Sequence, residues 1–365
     1  MVDRLGVRVV VDGYHDAIAR SMKVGAVEVQ RVGVILGASL QKHLHSEHGL
    51  SLHLESQRGG EKRNFLLDFG FTPGALFNNL DILKIDSATL DALIVSHGHF
   101  DHFGGLVPFL KRDPARMHKD LALYAGGEDT FCYRWNQLPD GQRDSFGVLD
   151  RRDLSGANVR VIMADKPAVI EGQAFTTGAI PRAGFEKVLP ATRVGIGVRD
   201  GAGCDASHFT KEEEEGEIVF DQFYGEHATC FNVKDRGLVV ISSCGHAGLI
   251  NSIRQAQAVS GVQKVHAAGG GLSSFPSAGT LHPTDRAGAQ GTRSRLHHPH
   301  ALQWCGIYPD DAEGDAGQAH RVLYWHAFDL PSLTGQSAQE STGVESPSAL
   351  VLRLLSGGRE GRQPC

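Results

Sequence analysis

Three imidazoles and a carboxylate fall close together in the chain, at His97, His99, Asp101 and His102. The residues just before them, Asp91 through Val95, are almost wholly apolar. A short run of that kind predicts a buried strand in a sheet covered on both faces. Gly104 and Gly105 follow, and Leu106 through Lys111 read as the start of a helix. The four ligand-type residues are thus expected on the loop at the carboxyl end of a strand, where α/β folds place their chemistry. Neutral imidazole and carboxylate oxygen both suit zinc and similar divalent ions. His97 and His99 are spaced to face one metal, with Asp101 and His102 left to hold a second. Gly98 is expected to remove a side chain where the loop passes the metals.

His-x-His-x-Asp-His after a strand resembles the signature of the metallo-β-lactamase superfamily. The resemblance implies an α/β fold, a four-layer αββα sandwich of two mixed sheets with helices outside. It also implies His97 and His99 as ligands of a first metal, and Asp101 and His102 as ligands of a second.

Two further stretches narrow the resemblance. Thr177-Gly178-Ala179-Ile180-Pro181-Arg182, together with Glu47 through Ser51, resembles a branch that includes an archaeal dihydropterin-(ribofuranosyl)aminobenzene phosphate synthase. That branch carries a glutamate where this chain has Ala179. Arg182 is retained, either as a bidentate grip on a substrate phosphate or carboxylate or as a plain loop residue. Further on, an apolar run from Gly237 ends in Cys244 and His246, and a helix is expected from near Leu249. His246 is expected as a metal ligand. Cys244 stands where other superfamily members place a bridging aspartate, and reads either as a ligand or as a buried structural cysteine.

The remaining elements are read from pattern. Strands are expected at Val7–Asp12 and in a hairpin across Gly59-Gly60, the latter ending at Asp68. That aspartate either supports the metal loop from behind or closes a turn. Leu121–Ala125 reads as a strand, and residues 159–162 and 168–170 as a further pair. A lone His227 at a strand start reads as structural, and the glutamates after Lys211 as a solvated insert.

A chain of 365 residues with a net charge of −6 shows no basic stripe for nucleic acid and no apolar run of membrane-spanning length. The first residues lack a signal peptide's apolar centre. Six cysteines without a C-x-x-C pair fit a reducing cytoplasm better than a disulfide framework.

Two regions are expected: residues 1–270 as the metallo-β-lactamase-like unit and 271–365 as an atypical tail. After Gly270 the branch continues Gly-Gly-Phe-His-Leu, whereas this chain gives Gly271-Leu272-Ser273-Ser274 and loses its periodicity. Gly269-Gly270-Gly271 permits a run of G nucleotides. Reading residues 271–275 one base on permits Gly-Phe-His-Leu, the missing motif. The tail is therefore expected to be out of frame and poorly ordered, with no strand to finish the second sheet and no last histidine ligand.

These readings point to a hydrolase with two divalent metals, zinc expected and manganese or iron also suited. A metal-activated water would attack a phosphate or ester of a small anionic molecule, with Asp101 as the catalytic carboxylate and Arg182 on substrate. A related transferase displacing diphosphate is the near variant. The alternatives are a metal-binding redox or sensor protein and an inactive truncated product.

Overall fold

The computed structural model describes residues 1–14, 21–24, 26–31 and 42–270, apart from 139, 158, 184–185, 187, 189–191, 206–210 and 212–217, and the backbone of 303–308, 321–325 and 350–355. The expected glutamate insert falls almost wholly outside the described residues.

Two large sheets face each other. The first runs in the order Val159–Met163, Leu121–Ala125, Ala92–Val95, Glu61–Leu67, Ser51–Arg58, Arg4–Val11, Leu350–Leu355, Val27–Arg31 and Met22–Val24. The second runs Ala168–Ile170, Ala174–Thr176, Thr229–Val233, Gly237–Ile241, Val265–Gly270, Gln303–Tyr308 and Arg321–Trp325.

Alternation along each strand sorts the apolar residues into layers. Ala92 and Ile94 join Leu54, Phe65, Phe231, Val239 and Ile241 in the core between the sheets. Leu93 and Val95, one residue out of phase, pack with Leu76, Leu80, Leu106 and Phe109 beneath the helices Pro73–Leu83 and Leu106–Arg112. On the far side, Leu238, Val240 and Val265 pack under the helix Leu249–Ser260 through Ile253 and Ala256. The result is the expected order of helix, sheet, sheet, helix. Burying one such side chain is worth about 1.5–3 kcal/mol, so three apolar layers make the sandwich a rigid base for its loops.

Three expectations change. The strands Val159–Met163 and Ala168–Ile170 do not pair. The first lies parallel to Leu121–Ala125, and the second lies antiparallel to Ala174–Thr176 in the other sheet. Their sequence spacing suits a hairpin, but each finds its apolar partners in a different layer. The cysteines are not all thiols either: Cys132 and Cys204 form a disulfide across 72 residues. A pair so far apart leaves no spacing signal, and its presence removes the argument for a reducing compartment from scattered cysteines. Among the described residues no helix is long and apolar enough to cross a membrane.

The tail is the third. Gln303–Tyr308 pairs antiparallel with Val265–Gly270, and Leu350–Leu355 lies between Arg4–Val11 and Val27–Arg31. Residues after Gly270 thus do supply strands to both sheets. The rest of the tail, where the expected frame change falls, lies outside the described residues.

Candidate metal centre

The strand Ala92–Val95 is wholly buried and delivers its chain into the loop at its carboxyl end. There His97, His99, Asp101 and His102 are all buried. The strand Gly237–Ile241 delivers a second loop, bearing Cys244 and His246. The two loops meet. One ligand atom from each of His97, His99 and His246 lies within 4.8 Å of the others, and so does one from each of His97, His102 and Cys244. All four histidines and Cys244 therefore occupy one place. The Asp101 carboxylate approaches His102 Nε2 at 3.4 Å and the partly exposed His48 Nε2 at 3.3 Å.

The hydrogen bonds behind this cluster set which nitrogens carry protons. Asp68 sits in the left-handed region at φ 58° and is fully buried. Its carboxylate accepts from Ser96 N, Ser96 Oγ and Ser243 Oγ, each at 2.8 Å. Its Oδ2 also lies 2.7 Å from His102 Nδ1. A carboxylate only accepts, so His102 carries a proton on Nδ1. Burial works against charging that ring, but Cys244, Asp101 and Asp68 overcome it and raise His102 well above the ordinary histidine range. The Ser96 hydroxyl has given its proton to Asp68, so it accepts from His97 Nδ1 at 2.9 Å. His97 Nε2 is then bare. Asp68 thus supports the metal loop from behind, the first of its two sequence readings.

Within the described residues, His97 Nε2, His246 Nε2 and Asp101 Oδ1 are buried with no hydrogen-bond partner. Each such orphan costs about 1–3 kcal/mol. Burial, and then the neighbouring imidazoles, push His97 and His246 well below the ordinary histidine range, so both are neutral. Burial works against ionising Asp101, but the facing His102 and His99 overcome it and hold its carboxyl well below the usual range. Clustered imidazoles with bare nitrogens, and an ionised carboxylate beside His102, are a donor set for divalent metal. Burial raises the Cys244 thiol, whose Sγ lies 2.9 Å from His102 Nε2.

Several residues of the site carry no sequence signal. Arg134 is fully buried in the strand Tyr133–Gln137. It donates to Asp221 Oδ2 at 2.6 Å, to Asp129 Oδ2 at 2.7 Å, and to the Gly98 carbonyl at 3.1 Å. Gly98 is a glycine for this reason: a Cβ there would stand 2.4 Å from both Arg134 Nη1 and the Thr130 carbonyl. The crowding comes from this side of the loop, where sequence reasoning placed it at the metals. Phe223 stacks on His246 with ring centroids 3.9 Å apart and stands at φ 51°. Glu226 accepts from His246 N at 3.0 Å and from Ala247 N, and burial pushes its carboxyl up to about 7.

Arg182 is half-buried. It donates to Gln222 Oε1 at 3.0 Å, and its guanidinium lies 5.5 Å over the Tyr224 ring. It thereby joins the segment that carries Asp221, Phe223 and Glu226. His227 is structural, as expected: its ring lies 2.7 Å from Thr176 Oγ1 and 3.0 Å from the Val95 carbonyl.

The family model described as "Metallo-beta-lactamase superfamily" matches residues 57–203, the span that holds the strand, the histidine loop and Arg134. That span is similar to the metallo-β-lactamase superfamily. The chain is also 26% identical over 230 residues to the 7,8-dihydropterin-6-methyl-4-(beta-D-ribofuranosyl)-aminobenzene-5'-phosphate synthase of Methanocaldococcus jannaschii, an alignment covering 62% of this chain and 71% of that one. Among solved structures it is similar to the metallo-β-lactamase fold protein YhfI of Bacillus subtilis, at 15% identity and a TM-score of 0.31, covering 67% of this chain and 63% of that one. It is also similar to an N-acyl homoserine lactone hydrolase, at 10% identity and a TM-score of 0.35, covering 73% and 92%.

Proposed function

We propose that this protein is a metal-dependent hydrolase that turns an activated water on a phosphate or ester, or a closely related transferase displacing diphosphate. The observation that carries it is the pair of clusters His97, His99, His246 and His97, His102, Cys244, whose ligand atoms lie within 4.8 Å of one another, with His97 Nε2 and His246 Nε2 buried and unpartnered. His97, His99 and His246 would hold one divalent ion, and Asp101, His102 and Cys244 a second, zinc being the metal that suits these donors best. Metals held there lower the pKa of a bound water and polarise a substrate oxygen.

The chain's own residues do the rest. Asp101, ionised at neutral pH, orients the water or takes its proton. Asp68 and Ser96 fix the rings of His102 and His97. Phe223 covers His246 on one face, which limits water to the open side of the cluster. Arg182 offers a fork for a phosphate or carboxylate of a small anionic substrate. The 26% identical relative is named as the synthase of a ribofuranosyl-aminobenzene-5'-phosphate compound, which suits a phosphorylated substrate.

Metal analysis of the purified protein, with a screen of phosphomonoesters and phosphodiesters, tests this. The expected result is bound divalent metal and turnover that a chelator abolishes and zinc or manganese restores. Undiminished turnover after complete metal removal would overturn it, and tightly bound iron without hydrolysis would favour redox work.

A further inference from the structure

The outer face of the first sheet changes character along three of its strands. Alternation sends Leu5, Val7 and Val9, Leu52 and Leu54, and Phe65 and Leu67 into the core between the sheets. Their neighbours in the chain lie on the outer face. Toward Asp68 these are Val10 and Leu66, which join Leu76 and Leu80 of the helix Pro73–Leu83 in one apolar layer. Further along the same strands the outer residues turn polar. Arg8 stands opposite His53, Gly6 opposite Glu55, and Glu55 opposite Asn64. There Arg4, Gly6, Arg8, His53, Glu55 and Lys62 line a cavity of about 210 Å³.

Three observations set this place apart from an ordinary solvated face. The first is charge: Arg4, Arg8 and Lys62 oppose Glu55 alone, three positive charges against one negative. Cations gathered at one cavity repel each other unless an anion lies among them. The second is His53, which is only 4% exposed. Its Nδ1 is buried without a partner among the described residues, so its hydrogen bond with Asn64 uses Nε2. Arg4 Nε is buried without a partner as well. Leaving such groups unpaired costs free energy that a ligand would recover. The third is Gly6. A Cβ there would meet nothing nearer than Glu55 O at 3.7 Å and Glu55 Cβ at 3.8 Å. The fold does not require glycine at this position, and a glycine inside a strand often marks a close approach by a ligand.

We propose that this cavity binds a small doubly charged oxyanion, phosphate or the phosphate end of a small phosphomonoester. The excess of two positive charges balances a dianion. Guanidinium groups grip tetrahedral oxyanions through paired N–H groups, and Lys62 adds a point charge. His53 Nδ1 offers a contact at the buried end, and Gly6 leaves the room. The volume lies below the roughly 300–1,000 Å³ of pockets that enclose drug-sized ligands, which suits a small anion. None of these residues belongs to the metal centre. Lys62 stands six residues before Asp68, about 20 Å along an extended strand. A bound anion would bridge the strands Arg4–Val11, Ser51–Arg58 and Glu61–Leu67.

The test uses full-length protein, freed of metal and kept in buffer without oxyanions. It is titrated with inorganic phosphate and with glycerol 3-phosphate, by calorimetry and by NMR of labelled histidines. The expected result is saturable binding that moves the His53 signals. Tighter binding of inorganic phosphate assigns the site to the free ion, and tighter binding of glycerol 3-phosphate assigns it to a phosphomonoester. Arg8→Gln and Lys62→Gln are each expected to bind about 10-fold more weakly. Glu55→Gln removes the negative charge and is expected to bind several-fold more tightly. Gly6→Val fills the cavity with methyl groups where a strand favours a β-branched residue. It is expected to keep the parent's melting temperature and to lose binding. Should that variant fail to fold, Glu55→Gln decides, because a purely structural role for these charges gives no tighter binding. Unchanged affinity in a folded Gly6→Val or in Glu55→Gln would overturn the proposal. So would signal changes confined to the histidines of the metal centre while those of His53 stay in place.

Discussion

His102 Nδ1 stands 2.7 Å from Asp68 Oδ2, a contact between the short helix Phe100–Phe103 and the end of the strand Glu61–Leu67 that also ties in the second loop, because Ser243 Oγ donates to the same oxygen. Asp68 is therefore the joint between the halves of the sandwich. Asp68→Asn replaces one acceptor oxygen by a donor, and four existing donors then face the two lone pairs of one oxygen. The expected outcome is a loss of about 1–3 kcal/mol of stability in the metal-free protein and about 10–100-fold weaker zinc binding. Denaturant titration and chelator competition read the two effects separately. An unchanged zinc affinity would show that Asp68 serves folding alone.

Removing Asp101 should behave differently. Its Oδ1 has no partner, and its other contacts are to His102 and to His48, which is partly exposed. Few bonds hold the loop through this side chain, so Asp101→Ala is expected to fold. Turnover should fall by about 10³-fold, the several kcal/mol a lost metal contributes, and the content of divalent metal should drop. Metal analysis beside a turnover assay checks it, and full activity in the variant would reject a role for Asp101 in the reaction.

What the sequence disclosed of this centre, and what it hid, divides along chain distance. His97, His99, Asp101 and His102 are legible because the ligands are nearly consecutive and stand behind an apolar strand. Cys244 and His246 are legible because the same strand-then-loop pattern recurs. Arg134, Asp129, Thr192 and Asp221 meet only in the folded chain, from strands and loops up to 92 residues apart, and no local spacing marks them. The same holds for Cys132 and Cys204. The layers of the fold followed from the resemblance, and the buried strand through Leu93 and Ile94 from its unbroken apolar run, whereas strand partners across sheets did not follow, as residues 159–163 and 168–170 show.

The tight fit of Arg134 against the histidine loop gives a third test. Gly98→Ala would place a methyl group 2.4 Å from Arg134 Nη1 and from the Thr130 carbonyl, neither of which is a free chain end. Either the loop moves toward the metal side or Arg134 leaves its bonds. Overpacking of this kind costs about 1–3 kcal/mol. The melting temperature should fall, and zinc affinity with it, since His97 and His99 flank the altered residue. A variant that melts and binds zinc like the parent would mean that the loop has slack the structure does not show.

His53 supplies the last test, away from the metal centre. It lies on the strand Ser51–Arg58, opposite Arg8 on one side and Leu66 on the other, and is only 4% exposed. Burial, and then the charge of Arg8, lower its pKa from 6.5 to about 3, although a hydrogen bond with Asn64 works the other way. Arg4, Glu55 and Lys62 line the same small cavity of about 210 Å³. In the unfolded chain this imidazole takes up a proton near its ordinary value, whereas in the folded chain it stays neutral down to about pH 3. Between these limits the unfolded state holds one more proton, so stability falls as pH falls. The loss is about 1.4 kcal/mol for each unit below the unfolded value. From pH 7 to pH 5 that amounts to about 2 kcal/mol from this residue. In metal-free protein, His53→Gln is therefore expected to lessen the drop in unfolding free energy between those two pH values by about that amount. The remaining drop belongs to the other buried neutral histidines, among them His97, His227 and His246. Urea titrations of parent and variant at pH 7 and pH 5 give the comparison. Equal pH dependence in the two would mean that His53 is charged in the folded protein, held against Arg8 by a partner other than Asn64.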